Sequence, residues 1–255
     1  MIILIKYLKK LSVLSIIVLT CTLFGCFEPD PNDISNEYYE MAIVDAENKK
    51  IAVGDIKFKS NDEEPVIFFV PYTIDGYTVS MIGVRRRVIG HYKSLSNSFI
   101  YSRLYFPSTI EGITKMRDGF YMSNYECKTF FCNKPMDLFQ FNSNAHNKGH
   151  YYVPSEYYDG YVELNVRHPS ILRSLYKANV CYYYNLQESD YYYVDYYDAD
   201  SLIEFIPPDP VNEGYSFGGW YKEKECINKW DFEKDTVSLE EDEIEIKLYA
   251  KWIKE

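Results

Sequence analysis

This sequence holds few of the residues from which catalytic centres are built. Histidine occurs four times in 255 residues, tryptophan three times and cysteine six times. No two cysteines stand as a CxxC pair, so a structural zinc site is not expected. No serine or cysteine nucleophile motif appears, and no glycine-rich phosphate loop. Basic residues are outnumbered, 27 against 38 acidic ones, for a formal charge of −11. An acid excess of this size repels nucleic acid and says nothing about fold. Between Asp33 and Glu255 no segment carries a long, capped helical period. The short helix candidates lie in "YDGYVELNVRHPSILRSLY", with Pro169 just inside a possible start.

What the chain has instead is tyrosine: 27 copies, beside 15 phenylalanines. A tyrosine buries its ring while its hydroxyl stays wet or bonded, which suits thin β layers with half-covered faces. From about Glu40 short apolar runs alternate with Asp, Asn, Gly and Pro, the punctuation of β structure. "MAIVDAENKKIAVGDIKF" reads as strand, polar turn, strand. The fold class expected is mainly β, with no cofactor and no metal.

The first residues are set apart from the fold. "MIILIKYLKK" carries Lys6, Lys9 and Lys10, and "LSVLSIIVLTCTLF" after it is an uncharged apolar run. That run is short for a membrane crossing, which needs roughly 20 residues. It ends in Leu23, Phe24, Gly25 and Cys26. These four residues resemble the lipobox of bacterial lipoproteins. The resemblance implies cleavage before Cys26, recognition of Leu23, Phe24 and Gly25 by the signal peptidase, and diacylglycerol on the Cys26 sulfur. Two or more acyl chains give durable anchoring where one is marginal. An ordinary secretory signal or a short membrane anchor is the other reading. Loss of residues 1–25 would remove three lysines and no acid, leaving the remainder more acidic. "FEPDPNDISNE" then reads as an extended tether over residues 26–39.

An internal echo follows. "PYTIDGYTVSMIG" from Pro71 and "PSTIEGITKMRDGF" from Pro107 repeat Pro-x-Thr-Ile-acid-Gly, and a degraded third copy starts at Val153-Pro154. Such periods indicate stacked units that each need a neighbour to bury their apolar face. In each copy Pro should end a strand, Ile point inward and Gly permit the tight return. "LYFPSTIEGITKMRDGFYMSNYECKTFFCNKP" and "VPYTIDGYTVSMIGVRRRVI" resemble the BspA-type leucine-rich repeats, although Arg85-Arg86-Arg87 replaces the usual Ala-Phe. This resemblance implies a short, degenerate leucine-rich-repeat-like β stack over residues 40–175.

The tail has a different texture. "GYSFGGWYKEKECINKWDFEKD" sets two tryptophans among glycines and charges, preceded by Pro208-x-Pro210 and followed by Leu248-Tyr249-Ala250-Lys251-Trp252. Together these residues resemble the Listeria–Bacteroides repeat, also called the internalin B-repeat. The resemblance implies a small β-grasp-like module, assigned to residues 176–255. Its core is expected to hold Tyr215, Phe217, Trp220, Tyr221, Trp230, Phe232, Tyr249 and Trp252. Large rings suit a module too small to be held by aliphatic side chains alone.

The candidate chemistry is sparse. His146 and His150 stand four apart, but in "NSNAHNKGHYYVP", a turn-rich stretch without the general base of a metalloprotease helix, so a surface loop is expected. Asp195, Asp198 and Asp200 ahead of Glu204 are read as solvated acids in a hairpin, short of the glycine of a calcium loop. Arg85-Arg86-Arg87 is read as a solvated loop. Cys127, Cys132, Cys181 and Cys226 allow three complete pairings, with buried free thiols the favoured reading. The expected role is therefore non-catalytic: a membrane-anchored bacterial surface lipoprotein, facing outside, that recognises an extracellular protein or glycan. The alternative is a cell-envelope carbohydrate-binding or hydrolase accessory lipoprotein, its pocket lined by His146, His150 and the acids from Asp195 to Glu204. A spacer without a partner is the third.

Overall fold

The computed structural model describes residues 32–37, 39–56, 66–85, 92–93, 101–113, 127–139, 149–186, 190–239 and 243–255. Leu23, Phe24, Gly25, Cys26, Arg86, Arg87 and His146 lie outside the described residues. The fold is mainly β, with sixteen strands and two short α-helices among the described residues.

β1 (Tyr39–Asp45) and β2 (Lys50–Ile56) pair antiparallel. The chain then begins a repeating path. β3 (Val66–Phe69) is followed by β4 (Thr73–Ile74), β5 (Tyr77–Ile82) and a small pair, β6 (Val84–Arg85) with β7 (Tyr92–Lys93). β8 (Tyr101–Phe106) leads to β9 (Gly112–Ile113), then come β10 (Lys128–Phe131) and β11 (His150–Val153). α1 (Tyr158–Leu164) and α2 (Pro169–Leu172) precede β12 (Leu175–Lys177). β3, β8, β10, β11 and β12 line up in chain order as one all-parallel sheet. Its members are neighbours in sequence order, as in a solenoid. β2, β5 and β9 form a second, mostly parallel layer, with β1 and β4 added antiparallel.

The echo in the sequence has a structural counterpart. Phe69 pairs with Tyr105, the 36-residue offset of the repeated motif. Ile74 and Ile110 both point into the core, 7% and 3% exposed. The glycines part company. Asp75 (φ 51°) and Gly76 (φ 79°) make the two-residue turn of the β4–β5 hairpin, a left-handed pair that Asp-Gly supplies at low cost. Gly112, expected to make the same return, has no left-handed φ. It lies instead beside Met81 as a strand added to β5. Among the described residues the second unit docks on the first through β9.

Strand alternation sorts the parallel sheet into two faces. Leu104, Phe106, Thr129, Phe131, Tyr151, Val153 and Leu175 turn inward to a core with Val79, Ile82, Leu138, Tyr161 and Ile171. The other face carries Phe69, Tyr105, Phe130, Tyr152 and Tyr176 in register, one ring per strand. Their centroids are 4.0, 4.5, 5.1 and 5.5 Å apart in succession, all stacked. In-register parallel strands set this spacing, because equivalent residues repeat at roughly the 4.8 Å strand separation.

The stack runs on through Lys177, past the boundary expected at residue 175, and a second sheet begins at once. β13 (Val180–Tyr183), β14 (Tyr191–Asp195), β15 (Tyr215–Tyr221) and β16 (Ile246–Lys254) form a four-stranded sheet. The order is β14-β13-β16-β15, with β13 and β16 parallel in the centre and the outer pairs antiparallel. A register shift between Phe217 and Trp220 contains Gly219 at φ 106°, a conformation that strains any residue with a Cβ.

Candidate functional site

The C-terminal sheet does not stand apart from the stack. Its buried cluster takes in Tyr105, Phe130, Cys132 and Tyr152 from the parallel sheet together with Tyr182, Tyr192, Tyr193, Trp220, Trp230 and Leu248. Tyr193 meets Phe69 edge-on at 5.1 Å, and Tyr196 stacks on Tyr152 at 5.0 Å. Tyr193 Oη donates to the Val70 carbonyl at 2.7 Å. Tyr72 Oη lies 2.8 and 2.7 Å from the carbonyls of Tyr191 and Tyr192, donating to one at a time.

At the centre of this interface sits an ion pair. Arg103 of β8 contacts Asp195 at the end of β14, with side chains 12% and 1% exposed. Tyr105 Oη accepts from Arg103 at 3.1 Å and donates to Asp195 Oδ2 at 2.8 Å, while the Tyr196 amide donates to Oδ1 at 2.7 Å. The guanidinium also lies over the rings of Phe205 and Tyr197, at 4.7 and 4.8 Å. Burial pushes the Asp195 carboxyl up to about 6 against the opposing pull of Arg103. Asp195 is thus no solvated hairpin acid, because β14 turns it into the sheet interface. Asp198, Asp200 and Glu204 are exposed. The partner was not visible in sequence, because Arg103 lies 92 residues away. A lone arginine in the apolar run "YSRLYF" was the available signal.

The rings expected in the module core divide by position. Trp220, Trp230 and Tyr221 are buried, and Phe217, Phe232, Tyr249 and Trp252 are half-buried against the same cluster. Tyr215 is 41% exposed and does not belong to the core. It opens β15 opposite Lys254, at the exposed end of the strand pair. Tyr191, Tyr183, Tyr249 and Tyr221 occupy matched positions across all four strands.

Among the described residues the aromatic face of the stack becomes more exposed past Tyr152. Tyr176 is 39% exposed, and His150, expected in a surface loop, is instead the exposed first residue of β11, 5.2 Å from the Tyr176 ring. Register places Arg103, Lys128 and His150 side by side on this face. The Lys128 ammonium lies 5.6 Å from the Tyr196 ring and 5.9 Å from that of Tyr152. Burial, then the nearby Arg103 charge, lowers its pKa. Among the described residues neither Lys128 nor His150 has an ion-pair partner. A cleft of about 790 Å³ in the C-terminal sheet is lined by Lys222, Glu223, Trp230, Asp235, Glu245 and Tyr249, among others. Much of its charge is matched internally. Lys222 pairs with Asp235 at 2.8 Å, Lys247 with Glu245 at 3.7 Å, and Glu223 Oε1 accepts the amides of Ile227 and Asn228.

The four cysteines of the folded part are free thiols, with Cys127, Cys132 and Cys181 buried. Burial pushes Cys127 up to about 12 and raises Cys132 and Cys181 too, so none of these is a thiolate nucleophile near neutrality. Among the described residues no three His, Cys, Asp or Glu side chains gather as metal ligands.

Comparison with known proteins covers part of the chain. Residues 183–251 match the family model for the Listeria–Bacteroides repeat domain. Two proteins of Evansella cellulosilytica are similar over 54 residues, at 44% and 50% identity. Both carry provisional names as membrane proteins, the first as Gly-rich. The aligned segment is 21% of this chain and only 5% and 7% of theirs. Among the described residues no helix is long and apolar enough to cross a membrane.

Proposed function

We propose that this chain is a lipid-anchored bacterial surface protein that acts by recognition and not by catalysis. The observation that carries the reading is the Listeria–Bacteroides match over residues 183–251, on a sheet whose aromatics serve packing. The two similar Evansella cellulosilytica proteins, named as membrane proteins, agree with a place at the cell envelope. The anchor is Cys26, after Leu23, Phe24 and Gly25. Of the acids that would line the pocket of a hydrolase accessory protein, Asp195 is enclosed by Arg103, Tyr105 and the Tyr196 amide, while Asp198, Asp200 and Glu204 are exposed.

Two measurements test this. The full chain, expressed in a lipoprotein-processing bacterium, should incorporate labelled fatty acid, and Cys26→Ala should accumulate as unprocessed, unlabelled precursor. Persistent labelling of that variant refutes the anchor. Purified protein applied to host-matrix and envelope fractions should retain a specific macromolecule without altering it. Turnover of an envelope polysaccharide would overturn the non-catalytic reading.

A further inference from the structure

We infer that the cleft beside Trp230 binds a cationic peptide segment, with a lysine side chain of the partner seated against Glu245. The inference rests on the recognition reading and gives it a surface and a ligand chemistry. At about 790 Å³ the cleft lies in the range of pockets that take ligands of drug size, room enough for a short peptide. Its wall includes Glu245, whose side chain is only 8% exposed. A carboxylate buried to that degree ordinarily accepts several short hydrogen bonds. Among the described residues Glu245 has none shorter than 3.5 Å. Cys181 Sγ and Tyr183 Oη each stand 3.5 Å from it, and the Lys247 ammonium stands 3.7 Å away on a side chain 50% exposed. An under-served carboxylate on the wall of an open cleft calls for a donor that carries positive charge.

The cleft already holds one ammonium in this manner. Lys222 Nζ sits 5.4 Å over the Trp230 ring and 2.8 Å from Asp235, between a ring and an acid. Glu245 and the Tyr249 ring offer a second place of the same kind. Tyr249 is half-buried and stacks at 5.2 Å on Tyr183, the same tyrosine that reaches Glu245. Burial raises the pKa of the Tyr249 hydroxyl, and Glu245 and Glu225 raise it further, so the potential here is negative. With Lys222 and Asp235 paired, Glu223, Glu225, Glu243 and Glu245 outnumber Lys224 and Lys247 along the wall. Lys247 is the placeholder, a loosely held and half-exposed ammonium that an incoming one displaces. Ile244 and Ile246 on the same wall suit the methylene stem of a lysine, and the Thr236 hydroxyl suits a peptide amide.

The test is calorimetric titration of the full chain with acetyl-trilysine amide, with acetyl-triglutamine amide as the neutral control. Trilysine should bind, and triglutamine should bind at least about tenfold more weakly. Glu245→Gln should weaken trilysine binding by about tenfold, the order of effect of losing one charged contact. Lys247→Gln should tighten it, since it removes the ammonium that competes for Glu245; this variant guards against loss of fold, because an unfolded protein cannot bind better. Glu163→Gln, at an exposed acid on α1 of the stack, should leave affinity unchanged, which separates this cleft from general attraction to an acidic chain. Equal binding of both peptides, no binding of either, or equal effects of Glu245→Gln and Glu163→Gln overturns the proposal. Spermidine binding as tightly as trilysine overturns the assignment to a peptide. Should the protein still capture an envelope or matrix macromolecule equally well with Glu245→Gln, recognition stands and this site is wrong.

Discussion

Replacing Asp195 by alanine should be among the most destabilising single changes in the molecule. The substitution leaves Arg103 with a side chain only 12% exposed and no carboxylate against it. Breaking a buried pair by removing one partner costs about 3–5 kcal/mol, because the remaining charge is left uncompensated. The rings of Phe205, Tyr197 and Phe130 at 4.7, 4.8 and 5.5 Å offset part of that loss, which places the expectation near the lower end, about 3 kcal/mol. Arg103→Met together with Asp195→Leu should recover most of it, since an apolar pair of similar volume escapes the desolvation cost of both ions. The assay is urea unfolding followed by far-UV circular dichroism on wild type, Asp195→Ala, Arg103→Met, Asp195→Leu and the double variant. A further arm varies pH. The folded Asp195 has its pKa raised from 3.8 to about 6 by burial, so the native state holds this proton more tightly than the unfolded chain does. Its contribution is therefore fully present below about pH 4 and is lost as pH rises through about 6. Wild type should gain stability over Asp195→Asn, which does not titrate, as pH is lowered from 7 to 4. An Asp195→Ala cost below about 1 kcal/mol, or a double variant as unstable as the summed singles, would refute the reasoning.

Trp220→Ala should lose about 3–5 kcal/mol, because it empties a buried ring site, while Tyr215→Ala at the exposed strand start should stay within about 0.5 kcal/mol of wild type in the same urea experiment. Tyr72→Phe removes the hydroxyl that reaches the Tyr191 and Tyr192 carbonyls from the stack and should cost about 1 kcal/mol, visible as a lowered urea midpoint. Among Cys127, Cys132, Cys181 and Cys226, iodoacetamide at pH 8 should label Cys226 first in the folded protein, because the others are buried; mass spectrometry showing equal labelling of Cys127 would contradict the burial.

The legible part of this fold is the part written in local spacing. The two Pro-x-Thr-Ile-acid-Gly copies announce the pairing of Phe69 with Tyr105, because an offset in sequence becomes an offset in register. Trp220 and Trp230 could be assigned to a core because rings set among glycines have no other cheap place in so small a sheet. The site was harder. Phe130, Tyr152 and Tyr176 follow one another at unequal intervals, so their alignment emerges only once β10, β11 and β12 are in register. Asp195 stands among other acids in "VDYYDAD" and looks solvated until β14 faces the stack. Gly112 matches Gly76 in letter and not in conformation, since it pairs with Met81 of a neighbour already in place and needs no left-handed φ there. Tyr215 shares the motif of Trp220 and is outside the core because it lies at the uncovered end of its strand.

The central pairing of β13 with β16 has a mechanical consequence. The two strands run side by side in the same direction, from Val180 opposite Ile246 to Tyr183 opposite Tyr249. A tensile load applied between the segment before Val180 and the end of β16 drags these strands past each other lengthwise. The bonds joining them must then give way together, whereas a hairpin pulled at its open end unzips one rung at a time. This geometry makes the C-terminal sheet resist such a load in shear.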